Sequence, residues 1–467
     1  MIDQVLISQF EKLLGKDGAL STPEDLAVYG YDGTFEDHQP DLVLLPRSTE
    51  QVSQVVQLAA AERLPLVTRG MGSGLAAASV PFQGGIVLAM TRMNRILEID
   101  PVNATVLVEA GVITAHLQAA VEKLGLSYPP DPSSIRHSTI GGNIACNAGG
   151  PHCLKYGVTG DYVLGLTVVL ADGRVLRTGG KPIKDVVGYD LKALFTGSEG
   201  TLGVITEALL RLIARPKFAR TASVEFASLE DASRTINTIL MTGIVPATLE
   251  LMDETAIACI EEAMHLGLPL DVEAILLVEC DGSDEASVIR ESEEIERICQ
   301  QCGARRVKLA QDENERARLW QARRSVSPAL ARRSPNKLGE DITVPRSAIP
   351  EAVRGLKAIS QKYGLPIVIY GHAGDGNLHP AILFDKRDPA QWAKVGEMAA
   401  AEFTLALSLG GTLSGEHGVG ALKRPYIEQA LGPLSIEIQR RIKNALDPLN
   451  ILNPGKVFPD KGEHFKR

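Results

Sequence analysis

At 467 residues the chain exceeds what one ordinary hydrophobic core supports, so two or three domains are expected. Its 45% hydrophobic and 22% charged residues are those of a globular protein, and a net charge of −9 without a long basic run argues against nucleic-acid binding. No apolar stretch approaches the ~20 residues that span a bilayer, no signal peptide is read at the N-terminus, and six scattered cysteines suit a reduced, cytoplasmic protein.

Residues 1–37 read as a peripheral helical segment, with a helix over 23–30 capped by Ser21 or Thr22 ahead of Pro23. From 38 to 215 strands and helices alternate. "DLVLLP" is a strand, "STEQVSQVVQLAAAERL" an amphipathic helix with a Ser48/Thr49 cap, and "PLVTRG" a strand that runs into "RGMGSG". "GIVLAM" and "TVLVEAGV" come next as strands and "ITAHLQAAVEKLG" as a helix, and Asp172-Gly173 predicts a two-residue hairpin turn in "VLGLTVVLADGRVLRTG". From 216 to 434 apolar strands such as "TASVEF" and "EAILLVEC" alternate with charged helices, which predicts a second, α+β domain. Residues 435–467 form a final helix, ended at Asp447-Pro448, and a Pro/Gly-rich tail. Cys299 and Cys302 form a lone CxxC without the second pair a tetrahedral metal site needs, and read as a cysteine pair near a helix end.

Three glycine-rich segments punctuate residues 38–215. "VTRGMGSG" (67–74) comes after a strand, and its closely spaced glycines let backbone N–H groups converge on an anion. It is no dinucleotide fingerprint, because residues 75–85, with Pro81 and two glycines, make a poor helix. "YPPDPSSIRHSTIGGNIACNAGGPHCLKYGVTGDYV" (128–163) is a long loop whose apolar residues suggest an ordered, partly buried path, and "FTGSEGTLGVITEA" (195–208) is the third segment. Together, in a domain with few aromatics, they suit the lining of a large cofactor.

These stretches, with "GHAGDGNLHP", "SGEHGVG" and "LNPGK", resemble the FAD-linked oxidoreductases of the vanillyl-alcohol oxidase (PCMH) superfamily. The similarity is to the branch of glycolate oxidase FAD-binding subunits and D-lactate and D-2-hydroxyglutarate dehydrogenases, and it covers about 38–459. The resemblance implies an α+β fold: a two-subdomain PCMH-type FAD-binding domain plus an α+β cap domain with an antiparallel sheet. It implies that Arg69, Gly70, Met71, Gly72, Ser73 and Gly74 wrap the FAD pyrophosphate. Pro130, Asp131, Ser134, Thr139, Gly141, Gly142, Asn143, Ala145, Asn147, Gly149, Tyr156, Gly157, Gly200 and Ile205 would line the rest, with Asn453 and Lys456 returning the C-terminal segment to this domain. Some relatives tether the flavin to a histidine in the glycine loop; Met71 stands here, so noncovalent FAD is expected.

His372, His379 and Glu416 offer two imidazoles and a carboxylate, a three-ligand set for a divalent metal with open positions for substrate. The residues alone leave this level with two hydrogen-bonded histidines. The resemblance implies the metal, often zinc, and assigns the substrate proton to His417. A 2-hydroxy acid would chelate the metal, which lowers its hydroxyl pKa, and its Cα hydride would pass to the flavin. Of Arg323 and Arg324 in "LWQARRSVS", family placement favours Arg323 as the carboxylate clamp, against a solvated helix face. Asp375 reads as a turn residue. Dicarboxylate-using members carry a lysine and an asparagine where Gly339 and Ala381 stand here, which favours D-lactate or glycolate. Electrons would go to an acceptor that the residues do not identify, such as a quinone, an iron–sulfur subunit or an electron-transfer flavoprotein. No four-cysteine cluster motif is present, and no basic amphipathic helix supports peripheral membrane association. The alternative is a metal-dependent hydrolase using His372, His379 and Glu416.

Overall fold

In the computed structural model, which describes residues 2–459, the chain forms two units. The first takes residues 2–149, 158–215 and 416–459; the second takes 150–157 and 216–415.

The first unit holds two sheets. Strands β1 (Ala19–Leu20), β2 (Leu42–Leu44), β3 (Leu66–Arg69) and β4 (Ile86–Ala89) lie in the order β1-β2-β4-β3, with β2, β4 and β3 parallel. The helix that connects β2 to β3, Thr49–Ala61, starts where the Ser48 hydroxyl accepts the Gln51 amide. Its Val52, Val55, Val56 and Ala59, spaced at helical period, pack on Leu42, Leu44, Leu66, Ile86 and Leu88. Alternate residues Val43, Val67 and Val87 face the other way into a second core, as the period of a strand requires.

The second sheet is antiparallel. It runs β5 (Ile96–Asp100), β6 (Thr105–Glu109), β10 (Val204–Arg211), β8 (Val163–Val169) and β9 (Val175–Gly179). A short pair joins β7 (Leu126–Ser127) to β11 (Ile213–Ala214). Asp172-Gly173 lies in the β8–β9 turn, but the turn is one residue longer than expected. Leu170 and Arg174 still bond, leaving Ala171–Gly173 as the loop, with Gly173 at φ +82°. The stretch 128–163, expected as irregular, contains two short α-helices, Ile140–Cys146 and Cys153–Tyr156, and a 3-10 helix, Thr159–Tyr162. The first tolerates Gly141 because its backbone presses on Ala110, where a Cβ would lie 2.7 Å from the alanine methyl.

The second unit is built on one antiparallel sheet. Its order is β15 (Ala304–Leu309), β12 (Phe218–Phe226), β14 (Ala274–Gly282), β13 (Thr248–Asp253), β18 (Ile367–His372), β19 (Asn377–Phe384) and β16 (Asn336–Gly339), and β17 (Ile342–Thr343) also pairs with β19. Met252, Ile275, Val368, Tyr370, Ala381 and Leu383 share a core with helices Glu254–Met264 and Val326–Arg333. Residues 150–157 join this unit through polar and ring contacts. Lys155 Nζ lies 2.6 Å from Asp281 Oδ1, the Tyr156 hydroxyl donates to Asp281 Oδ2 at 2.7 Å, and His152 stacks on Trp320.

The chain leaves the second unit at Gly415 rather than near 434. Long-range contacts take the chain from there: the amides of Val419 and Gly420 are taken by the Glu199 carboxylate, and that of Ala421 by the Ala76 carbonyl. Beyond the helix Pro433–Leu446, residues 451–453 pair with Leu66 alongside β3. The Leu66 amide donates to the Ile451 carbonyl, and the Asn453 amide donates to the Leu66 carbonyl.

Candidate active site

Within the first unit the three glycine segments converge at the end of β3. A Cβ on Gly70 would sit 2.3 Å from Thr139 Oγ1, so the first loop lies flush against the cap of helix Ile140–Cys146. The amides of Gly197 and Glu199 donate to Ile144 and Ala145, which docks the third segment on the second. A Cβ on Gly200 would lie 3.7–3.9 Å from Thr68 and Asn453.

Several of the expected cofactor residues are committed to this scaffold. Arg69 is buried and donates to the Tyr31 carbonyl at 2.5 Å, and Gly72, at φ +69°, folds the loop so tightly over it that a Cβ would meet the guanidinium. Asn143 donates to Thr114 and Asn147 accepts the Gly160 amide. Met71 is half exposed, Gly74 accepts the Gly33 amide, and the Pro130 carbonyl accepts from Gln118. Ser134 accepts the amides of His137 and Ser138 in a turn just after Asp131, and Ile205 pairs with Val168 in the sheet. Tyr156 and Gly157 belong to the second unit, and Gly149 ends the first stretch before it.

Around Gly200 the polarity is incomplete. Thr68 Oγ1 and Asn453 Oδ1 are buried and have no hydrogen-bond partner among the described residues. Buried polar atoms of this kind await a partner. A polar cofactor laid along glycines that offer no Cβ fits this donor and acceptor set, and FAD is such a molecule.

In the second unit the sheet register sets the chemistry. Tyr370 pairs with His379, and His372 with Asn377, so the side chains of these four residues share one face of β18 and β19. The two imidazoles meet edge to face with centroids 5.0 Å apart. The reversal between them needs glycine at 376, where φ is +86° and a Cβ would strike the Val344 carbonyl. Asp375 accepts the Asn377 amide and serves that turn.

Two buried carboxylates stand behind the histidines. Glu250 on β13 lies 2.7 Å from His372 Nδ1, and its other oxygen lies 2.5 Å from Arg323 Nε. Burial pushes its pKa up, but Arg323 and His372 outweigh that and hold it below the usual range. Asp341 lies 3.8 Å from His379 Nδ1 and accepts from Asn377 Nδ2 and from the Ser414 hydroxyl, each at 2.7 Å. Sequence reading missed both roles. The one available signal for Glu250 was a charge inside the apolar strand "TLELMD".

Arg323 and Arg324 part company at the end of helix Glu313–Arg324. Arg324 is exposed over the Trp320 ring, whereas Arg323 is buried with its guanidinium carbon 5.3 Å from the Tyr370 ring centroid. Arg323 Nη2 is buried and has no hydrogen-bond partner among the described residues. A planar donor held in this state suits an incoming carboxylate. Gly339 and Ala381 face each other across β16 and β19, and neither offers a donor.

One imidazole, His372, is backed at Nδ1 by a carboxylate, the arrangement that orients a histidine toward a metal, and a second imidazole, His379, lies beside it, so the donor chemistry fits a divalent ion. Ser414, tied to Asp341, and Gly415, whose backbone abuts Thr343 and Asn377, immediately precede Glu416 and His417, which open the last stretch of the first unit.

Residues 40–179 match the family described as "FAD binding domain", and residues 215–457 match "FAD linked oxidases, C-terminal domain". The chain is 46% identical over 459 residues to glycolate oxidase subunit GlcD of Bacillus subtilis, covering 98% of this chain and 97% of that protein. It is 42% identical to glycolate oxidase subunit GlcD of Escherichia coli K12, covering 94% and 88%. A D-lactate dehydrogenase of Archaeoglobus fulgidus is 38% identical, covering 89% and 91%. Among solved structures, p-cresol methylhydroxylase with substrate bound superposes with a TM-score of 0.82 at 19% identity, covering 99% of both chains. The 4-ethylphenol oxidase of Gulosibacter chungangensis gives 0.80 at 23%, covering 98% and 97%. At these identities the structural likeness shows the fold alone, and that fold is the α+β, PCMH-type architecture expected from the sequence. FAD is thereby the cofactor, and a metal hydrolase is not favoured. Among the described residues no helix is long and apolar enough to cross a membrane.

Proposed function

Because this chain belongs to the FAD-linked oxidases, we propose that it oxidises a small D-2-hydroxy acid, D-lactate or glycolate, to the 2-oxo acid. The observation that carries the substrate class is Arg323: a buried guanidinium with an unpartnered Nη2, held beside Glu250 and Tyr370. It binds the substrate carboxylate, and Glu250 keeps it from folding back. Gly339 and Ala381 leave a second carboxylate without a donor, which favours monocarboxylates.

FAD supplies the two-electron acceptor, held noncovalently by the segments at 69–74, 130–149 and 197–205 with Thr68 and Asn453. His372, His379 and Glu416 would hold a divalent metal, zinc as the family resemblance implies, which would supply Lewis acidity toward the substrate hydroxyl. Glu250 fixes the His372 ring. His417 accepts the hydroxyl proton, an imidazole being suited to that transfer near neutrality. Electrons leave to a partner protein or a quinone-type acceptor; relatives named as subunits support a partner.

Steady-state turnover with an artificial electron acceptor tests this reading across D-lactate, L-lactate, glycolate and D-2-hydroxyglutarate. D-lactate or glycolate is expected to be the preferred substrate, with activity lost on chelation and restored by zinc. Preference for the dicarboxylate, or activity indifferent to chelation, would overturn the substrate or the metal assignment respectively.

A further inference from the structure

The first unit contains a buried carboxylate that the proposed chemistry does not use. Glu199, 6% exposed, sits in the third glycine segment and accepts two backbone amides, Val419 N–H on Oε1 and Gly420 N–H on Oε2, each at 2.7 Å. Those amides belong to the second and third residues after His417.

Glu199 is itself fixed on three sides. It is a non-glycine residue in the left-handed region, at φ +51°, a conformation that persists only where the surroundings over-determine it. Its own amide donates to the Ala145 carbonyl at 2.8 Å, and its carbonyl accepts from Asn453 Nδ2 at 2.6 Å. The segment it grips has no slack either. Gly418 lies at φ +86°, and a Cβ there would stand 3.0 Å from Glu199 Oε1. Gly420 presses on Ala76 so closely that a Cβ would overlap its carbonyl, and the Gly420 carbonyl accepts the Val457 amide at 2.8 Å. A plain turn does not need a buried carboxyl group. Bonds from two successive amides to its two oxygens specify the path of the backbone that leaves His417.

We propose that Glu199 is a positioning residue for His417: its carboxylate clamps the 418–420 turn and so aims the imidazole. The proposal rests on the reading of His417 as the proton acceptor. It also ties that base to the cofactor-lining segment, because the same residue belongs to both.

The test uses the FAD-loaded protein and the variants Glu199→Gln, Glu199→Asp, Gly418→Ala and His417→Asn. Hydrogen exchange at the amides of Val419 and Gly420 reads the clamp directly, without turnover; kcat per bound flavin and KM read its consequence. In Glu199→Gln one acceptor becomes a donor facing a donor. Exchange at both amides is expected to accelerate, and kcat per bound flavin to fall about 100-fold, the cost of a misplaced reacting group, while KM changes little. Gly418→Ala, whose Cβ would press on the same carboxylate, should give the same split, and where Glu199→Gln does not fold, Glu199→Asp, which keeps the carboxylate but shortens its reach to the two amides, decides the matter. Unchanged exchange contradicts the clamp. Faster exchange with unchanged kcat per flavin reduces Glu199 to a stabilising residue and overturns the proposal. His417→Asn separates the two levels. A silent His417→Asn removes the base reading and the proposal with it, whereas a dead His417→Asn beside a fully active Glu199→Gln removes the proposal alone.

Discussion

Glu250 Oε1 and His372 Nδ1 share a 2.7 Å hydrogen bond with both side chains buried, and this pair orients the histidine from behind. A carboxylate at Nδ1 fixes the tautomer and turns the opposite nitrogen away from itself. Glu250→Gln is therefore expected to weaken divalent-metal affinity about 10- to 100-fold, measured by competition with a chelator. Glu250→Ala also strands the buried Arg323 charge and should cost about 3–5 kcal/mol in denaturant unfolding. Unchanged metal affinity in Glu250→Gln would dissociate the pair from metal binding.

Arg323 and Arg324 make a matched comparison. Arg323→Lys keeps the charge but loses the planar fork, so KM for the hydroxy acid should rise about 10- to 100-fold, the worth of a hydrogen bond to a charged group. Arg324→Ala, on the exposed side over Trp320, should leave KM unchanged. Equal effects from the two would return both to a common surface role.

Asp253 caps helix Glu254–Met264 and accepts the amides of Ala256 and Ile369, and burial pushes its pKa up to about 7. A carboxyl whose folded pKa exceeds its unfolded value stabilises the fold fully below the unfolded pKa, and that contribution is lost as pH rises through the folded one. Between about pH 4 and pH 7 this residue should remove on the order of 4 kcal/mol. Asp253→Asn should flatten the decline in unfolding free energy across that window, and an unaltered slope would place the titration elsewhere.

Glu279, in the same sheet, has the opposite sign. Burial pushes it up, but His152, Arg316 and Thr221 outweigh that and hold it well below the usual range. Arg316 contacts it through two nitrogens at 2.9 Å, and Trp320 Nε1 donates at 2.9 Å. Its contribution is present above the unfolded pKa and lost as pH falls through the folded one. Glu279→Ala should cost about 3 kcal/mol near neutrality, with the difference from wild type shrinking in acid. A pH-independent difference would show that packing rather than charge is lost.

Much of the architecture was legible because it is local. The Ser48 cap and the Val52–Val55–Val56–Ala59 stripe specify a helix on a sheet, and glycines at 70, 72 and 376 mark places where backbone approach or positive φ is required. His372, His379 and Arg323 were visible as residue types in an uncommon setting. Glu250 and Asp341 were not, because their partners lie 122 and 36 residues away and meet them only through strand pairing. The same holds for Glu199, whose carboxylate meets amides 220 and 221 residues downstream. Long-range pairing also moved the boundary to Gly415 and drew residues 150–157 into the second unit. The β8–β9 turn differed by one residue, since Gly173 serves a three-residue loop as readily as a two-residue one.

The absorbance spectrum of the purified, FAD-loaded protein during anaerobic addition of D-lactate, then glycolate, tests the central claim most directly. The flavin bands near about 450 nm should bleach with one or both acids, and should fail to bleach after chelation or in His417→Ala. A yellow protein that neither acid bleaches would contradict the proposed substrate, and bleaching that survives both chelation and His417→Ala would contradict the proposed chemistry.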